Sequence, residues 1–297
     1  MLAAKCWRPN AGGTVRWGAV IDLHTHSTVS DGSDTPEQLV DLAAQAGLTA
    51  FALTDHDRQD GIAPARKKAA EAGIELVPGT EISCEHPATM HMLVYFLEPG
   101  EGPLQDELER LQVARDNRNE LLLARLAELG LPVTAEELDA EAGGSGAGRP
   151  HVAAILVRKG VATSVQDAFD RWLAKGRPAY VDKERLAPLT AITLALQSGA
   201  LPVLAHPLSM GLSEGPLEGA VGELAEAGLV GLEAIYGRYG PDERASLAVL
   251  AARAGLAITG GSDHHGTYKP DLSVGTGRGD LHVPDSALEA LRDRLQV

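Results

Sequence analysis

Cysteine is nearly absent from this 297-residue chain. Cys6 and Cys84 are too few for a disulfide scaffold and point to a reducing, cytoplasmic setting. Long apolar runs are missing as well. None approaches the roughly 20 residues of a membrane span, so no membrane partner is expected. The first 18 residues carry Lys5, Arg8 and Arg16 but neither a continuous apolar core nor an obvious cleavage site, which argues against a signal peptide. Cationic side chains are in deficit, with 26 Lys and Arg against 41 Asp and Glu and a formal net charge of −15. Binding along extended duplex DNA normally needs a basic surface and is not expected. A small anionic substrate remains open, because bound metal ions would invert the field of an acidic pocket.

Short apolar runs alternate with helical patterns in both halves of the chain, which favours a parallel sheet or barrel. The strand candidates are Ala19–Leu23, Ala50–Leu53, Glu75–Ile82 with a break near Pro78-Gly79, His91–Leu97, Leu201–Ala205, Leu229–Ile235 and Leu256–Thr259. Helices with clear starts and stops lie between several of them, as in "TPEQLVDLAAQAG", where Pro36 opens and Gly47 closes. The middle is different. It shows no convincing strand but a long amphipathic segment at Pro103–Leu129, a glycine-rich break at Glu141–Pro150 and a further helix with Ser164 as its N-cap. The expected organisation is an N-terminal extension (1–18), a first barrel part (19–101), a helical insertion capping the substrate (102–185) and a second barrel part (186–297).

The chemistry-bearing residues fall where strands end. His24 and His26 alternate after the first, with Asp31 in the following turn; alternate strand residues share a face. Asp55, His56 and Asp57 follow the second strand, and Glu81 sits inside the third. His91 begins its strand, yet an antiparallel hairpin of Thr80–Cys84 with Met90–Phe96 would bring it beside Glu81. His206, then Asp263, His264 and His265, follow later strands. The C-terminal strand ends of barrels and open α/β sheets converge on one rim. Taken singly these residues have plainer readings: a strand-end histidine is commonly hydrogen-bonded surface, Asp31 could cap its turn and Asp57 the next helix. A buried unpaired carboxylate at Glu81, however, needs a cation or a proton. Together the set points to a site for several metals.

The ordered segments "DLHTHSTVSDG", "TDHD", "GTEIS", "MHML", "LAHP" and "GSDHHG" resemble the motifs of the PHP (polymerase and histidinol phosphatase) family from about residue 20 to 270. The resemblance implies a distorted seven-stranded (β/α)7 TIM-like barrel, an α/β fold, holding two or three divalent metals. Manganese is the expected ion, with zinc or iron as alternatives. By motif, His24, His26, Glu81 and Asp263 would hold one metal, and Asp31, His56 and His265 a second. His91, His206 and a bridging Glu81 would hold the third. His264 is expected to be a neighbour, and His86 and His282 to be surface residues. The insertion resembles that of a subgroup acting on nucleotides, the 3′,5′-nucleotide bisphosphate phosphatases and a related exoribonuclease. The implied substrates are a small nucleotide phosphate or short RNA, hydrolysed by hydroxide generated at the metals, with His206, His265 and Arg149 as catalytic candidates. Arg149 and His151, after the glycine-rich break, and Arg115 and Arg118, three apart on one helix, are the substrate-binding candidates. Lys175, Arg177 and Tyr180 are weaker ones.

Three rivals are set lower. Histidinol phosphate or a sugar phosphate fits the insertion less well. An amidohydrolase would often bridge its metals through a carboxylated lysine, yet Lys5, Lys67, Lys68, Lys159, Lys175, Lys183 and Lys269 all lie outside the apolar strand cores. A non-catalytic module would be expected to have lost ligands, and no ligand position is lost here.

Overall fold

The computed structural model describes residues 20–143 and 146–295. The N-terminal extension with Cys6, and Gly144-Ser145 at the centre of the glycine-rich break, lie outside the described residues. The first half runs β1 (Val20–Thr25), α1 (Pro36–Gln45), β2 (Ala50–Leu53), α2 (Ile62–Ala72), β3 (Glu75–Ser83) and β4 (His91–Tyr95). The central helices follow as α3 (Pro103–Glu128), α4 (Ala135–Ala142), α5 (Arg149–Arg158) and α6 (Val165–Ala168), the last continuing as a π turn over Phe169–Leu173. The second half comprises α7 (Pro188–Gln197), β5 (Leu201–Leu204), α8 (Glu214–Glu226), β6 (Gly231–Tyr236), α9 (Pro241–Arg253), β7 (Ala257–Gly261), β8 (Val283–Pro284) and α10 (Ser286–Leu295).

Local chemistry sets the helix limits. Thr35 caps α1 by accepting from the Gln38 N–H at 3.2 Å, while Gln38 Oε1 accepts from the Thr35 N–H at 2.7 Å. Gly73 closes α2 in the left-handed conformation that a side chain would disfavour. Asp57 does not cap α2 as expected: that helix begins at Ile62 after Gly61, too far along the chain for the carboxylate to reach its first amides.

The strands form one sheet in the order β7-β6-β5-β4-β3-β2-β1-β8. All neighbours among β1, β2 and β3, and among β5, β6 and β7, are parallel; β4 is antiparallel to both β3 and β5. The end of β1 also meets the end of β7, where the Asp263 N–H donates to His24 O at 2.8 Å and the His26 N–H to His264 O at 3.0 Å. The result is a nearly closed seven-stranded barrel with β8 added beside the start of β1. Two residues cannot show a strand period, so β8 was not expected.

β3 is not broken at Pro78-Gly79. It changes partner there, with Leu53 on β2 paired to Pro78 and Tyr95 on β4 to Gly79. A Cβ at Gly79 would lie 2.7 Å from Val94 O, so glycine allows the close approach of β4. The barrel interior is filled by Ile21, Leu23, Ala52, Val77, Leu93, Tyr95 and Val203. The central helices bury a core of their own around Leu122, Leu126, Val152, Ile155, Leu156 and Leu173, so they form a small body set on the rim of the barrel.

Candidate metal centre

The β3–β4 hairpin has the register that the site needs. Ser83 pairs with His91 and Glu81 with Leu93, which puts the start of β4 beside the end of β3. Glu81 is the hub. Its Oε1 lies 2.9 Å from His91 Nδ1 and from His206 Nε2, and its Oε2 lies 3.2–3.3 Å from His24 Nε2, His26 Nε2 and His56 Nδ1. Three groups bring their candidate ligand atoms within 4.8 Å of one another: His24, His26, Glu81 and Asp263; His26, Asp31, His56 and His265; and His56, Glu81 and His91. His206 joins the third through Glu81. All nine residues that the sequence nominates as ligands therefore meet at one end of the barrel.

The donor set fits divalent metals, and the hydrogen bonds behind it explain why. His24 Nδ1 faces Glu233 at 2.9 Å, and His265 Nδ1 faces its acceptor, the Asp263 carbonyl, at 2.9 Å. Ser209 gives its hydroxyl proton to Thr89 O, so it accepts from His206 Nδ1–H at 2.9 Å. Ser30 likewise gives its proton to Asp55 and is 3.4 Å from His26 Nδ1. Four rings thus keep Nδ1–H on the protein and turn the Nε2 lone pair inward. What they face is also rich in lone pairs: His24 Nε2 lies 3.1 Å from His26 Nε2, and His265 Nε2 lies 3.3 Å from Asp31 Oδ1. Asp31 Oδ1 is buried with no hydrogen-bond partner. Acceptor facing acceptor in a buried site calls for protons or metal cations between them, and, against the cost of burial, acidic neighbours raise the pKa of both His24 and His26. Asp263 is aimed the same way, since Tyr236 OH and Lys269 Nζ, each at 2.7 Å, hold its Oδ2 and leave Oδ1 toward the histidines.

Charge follows this geometry. Burial works against ionising Glu81, but His91, His56 and His24 hold its carboxyl well below the usual range. Burial opposes ionised Asp31 too, and His56 and His265 outweigh it. His265 is pushed down to about 4 by burial and by Lys269, which keeps it neutral and able to bind a metal at physiological pH.

Beside this centre, under the central helices, lies a cavity of about 230 Å³. Arg115, Arg118, Arg149, Lys183 and Arg185 line it together with Asp31, His56 and His91. Arg115 is spoken for by an ion pair with Asp57. Arg118 is not: it is buried, and its Nε and Nη1 have no partner. Burial, then Arg115 and Arg149, pull its guanidinium down to about 9. Arg149 opens α5, with its guanidinium over the rings of Phe169 and Tyr180 and Nη1 donating to Leu173 O at 3.1 Å. Lys183 donates to Ser83 and is lowered to about 7 by burial, despite Asp57 nearby, with Arg115, Arg118 and Arg149 adding to the effect. Such a cluster is a receptor for an anion. Lys183 and Arg185 were not singled out from the sequence, because they lie in an irregular segment whose only signal is their charge.

Other candidates have different surroundings. His151 does not line the cavity; it accepts from the Gly148 N–H at 3.0 Å and packs edge-on against Tyr268. Lys175 donates to Pro87 O at the surface. Asp55 takes hydrogen bonds from Ser27 and Ser30 and so fixes the turn that carries Asp31. His264 stands between Leu272 O and Asp34, outside all three groups. His86 is half-buried beside the Ala88 N–H, and His282 is exposed.

Fold and site together define a metal-dependent phosphoesterase, a hydrolase acting on phosphoester bonds. Comparison with known proteins agrees. Residues 22–131 match the PHP domain model. The chain is 35% identical over 252 residues to the 5′-3′ exoribonuclease Rnm of Escherichia coli, covering 84% of this chain and 86% of that protein. It is 30% identical over 259 residues to a 3′,5′-nucleoside bisphosphate phosphatase of Chromobacterium violaceum, covering 86% and 91%. Among solved structures, a protein of Bifidobacterium adolescentis assigned as a metal-dependent phosphoesterase superposes with a TM-score of 0.82 at 29% identity, over 93% of this chain and 96% of that one. The chain belongs to the PHP family. No helix among the described residues is long and apolar enough to cross a membrane.

Proposed function

We propose that the chain hydrolyses the 3′-phosphate ester of a nucleotide that also carries a 5′-phosphate. The main reaction converts a 3′,5′-nucleoside bisphosphate to the nucleoside 5′-monophosphate, and 5′-phosphorylated short RNA is the second substrate. The observation that carries this reading is the cationic cavity opening directly on the metal centre, with the buried, unpartnered Arg118 inside it. One phosphate at the metals and a second in that cavity is the pattern of a bisphosphate. The relatives named as a bisphosphate phosphatase and a 5′-3′ exoribonuclease support it.

In this reading His24, His26, Glu81 and Asp263 hold one ion, Asp31, His56 and His265 a second, and His91, His206 and the shared Glu81 a third, with manganese as the working metal. Bound there, divalent ions supply an acidified water and neutralise charge on the phosphoryl oxygens. Arg118, Arg149 and Lys183 grip the 5′-phosphate and fix the sugar relative to the centre. The central helices cover the site and exclude bulk water. His206 and His265 flank the place where the phosphoryl group reacts. Water adds across the 3′-oxygen–phosphorus bond, leaving a 3′-hydroxyl and a phosphate.

Initial rates with Mn²⁺ test the proposal on a panel of a 3′,5′-bisphosphate, a 3′-mononucleotide, a 5′-phosphorylated RNA, histidinol phosphate and a sugar phosphate. The bisphosphate should lead the 3′-mononucleotide, which lacks only the gripped 5′-phosphate, by at least about 100-fold in kcat/KM, as expected for losing a charge-assisted grip. A preference for histidinol phosphate would overturn it.

A further inference from the structure

Among the described residues, two cavities open on the metal centre. One is the cationic cavity beneath the central helices. The other is a groove of about 460 Å³ on the side of β5, β6 and β7, to which the central helices contribute no lining residue. His56, Thr89 and His91 line both, so the two spaces meet at the metal centre. The cationic cavity, at about 230 Å³, is below the 300–1,000 Å³ or so of pockets that enclose a small ligand. It has room for a phosphate and part of a sugar, and the groove offers a path for whatever is esterified beyond the reacting phosphate.

That groove carries suitable chemistry. Tyr239 and Tyr236 form its wall, with their rings edge-to-face at 4.8 Å. Ser209 contributes a hydroxyl. Arg238 stands at its edge, its side chain 38% exposed, with Nη2 on Asp271 at 2.8 Å. A guanidinium has five donors in a planar fork, so one edge can keep Asp271 while the other takes a phosphate.

We propose that this groove is the subsite for the nucleotide on the far side of the scissile phosphate, and that Arg238 holds the phosphate after it. The proposal rests on the reading that a 5′-phosphorylated nucleotide is bound under the central helices. The reaction it serves is the hydrolysis of the short RNA already proposed as second substrate: water cleaves the 3′-oxygen–phosphorus bond of the first nucleotide. That nucleotide leaves with a free 3′-hydroxyl, and the phosphate remains on the 5′-oxygen of the shortened chain. The groove thereby becomes the second nucleotide subsite, and Arg238 a specificity residue that senses chain length.

The length dependence is the test. A nucleoside 3′,5′-bisphosphate and a 5′-phosphorylated dinucleotide have no phosphate at the Arg238 position; a 5′-phosphorylated trinucleotide does. Arg238→Ala should lower kcat/KM about tenfold on the trinucleotide, within the usual effect of losing a charged hydrogen bond. The same variant should stay within about twofold of the parent on the bisphosphate and the dinucleotide, and Arg238→Lys should recover part of the loss. Equal losses on all three substrates, or no loss on the trinucleotide, would overturn the subsite. So would a parent enzyme that hydrolyses the bisphosphate but neither oligonucleotide, and in that case the bisphosphatase reading would survive. A parent enzyme inactive on all three would remove both.

Discussion

Glu233 is fully buried on β6, where Oε1 lies 2.9 Å from His24 Nδ1 and Oε2 accepts from the His206 backbone N–H at 2.7 Å. It belongs to none of the three ligand groups, yet it sets which nitrogen His24 presents and where the His206 strand end sits. Glu233→Gln preserves the volume but replaces one acceptor oxygen by a donor, which misdirects one of the two bonds. The expected result is metal binding weakened by about 10- to 100-fold, the usual cost of losing a partner behind a ligand. Competition with a chelator reads this directly, and an unchanged affinity would sink the role. Lys183 supports a pH prediction. With its proton lost near pH 7, it is increasingly neutral above that value in the free protein, and a bound phosphate favours the charged form. Anion binding should therefore take up a proton and weaken as pH rises above about 7. Calorimetry of the binding of sulfate, which does not itself titrate near pH 7, in buffers of different ionisation enthalpy measures the uptake, and Lys183→Met should abolish it.

Among the elements, the loop that leads into α5 carries the helix bearing Arg149 against the turn after β1. Gly146 has φ of +68°, and a Cβ there would run into the Val29 carbonyl. Gly146→Ala should therefore shift the start of α5 and raise KM for the bisphosphate several-fold. The barrel itself, with its separate core, should keep its thermal midpoint within a few degrees. An unchanged KM would show that α5 does not need this approach. The same elements show what the sequence made legible. The strand ends could be read because short apolar runs stop at histidines and carboxylates, and His91 could be placed once a hairpin was assumed. Lys183 and Arg185 could not, since only the fold of an irregular return segment brings them to Arg118. The continuity of β3 was hidden by Pro78-Gly79, which reads as a breaker but serves as a change of partner. Glu233 was hidden because a lone carboxylate inside an apolar strand gives no partner until the barrel brings β6 beside β1 and β5.

For the whole molecule, a chain with a net charge of −15 gathers Glu81, Asp31 and Asp263 among histidines at one end of a barrel. Glu81, Asp31 and Asp263 are all held ionised below their usual range by neighbouring histidines and, at Asp263, first by Lys269 against the cost of burial. On the proposed reading metal ions would replace that support and bind the folded chain alone, because the candidate ligands come from β1, β2, β3, β4, β5 and β7 and from the loops after them. Stability must then rise with free metal. At 100 times Kd one site contributes about 2.7 kcal/mol. For a chain of 297 residues that corresponds to roughly 4 °C in the thermal midpoint. Scanning calorimetry of chelated protein with Mn²⁺ restored should show at least this rise. In the His24→Ala, His26→Ala double variant it should shrink, because two of the three ligand groups lose a member, and hydrolysis should vanish. A midpoint indifferent to chelation in the parent would mean that the inward-facing lone pairs are balanced by protons and not by metal.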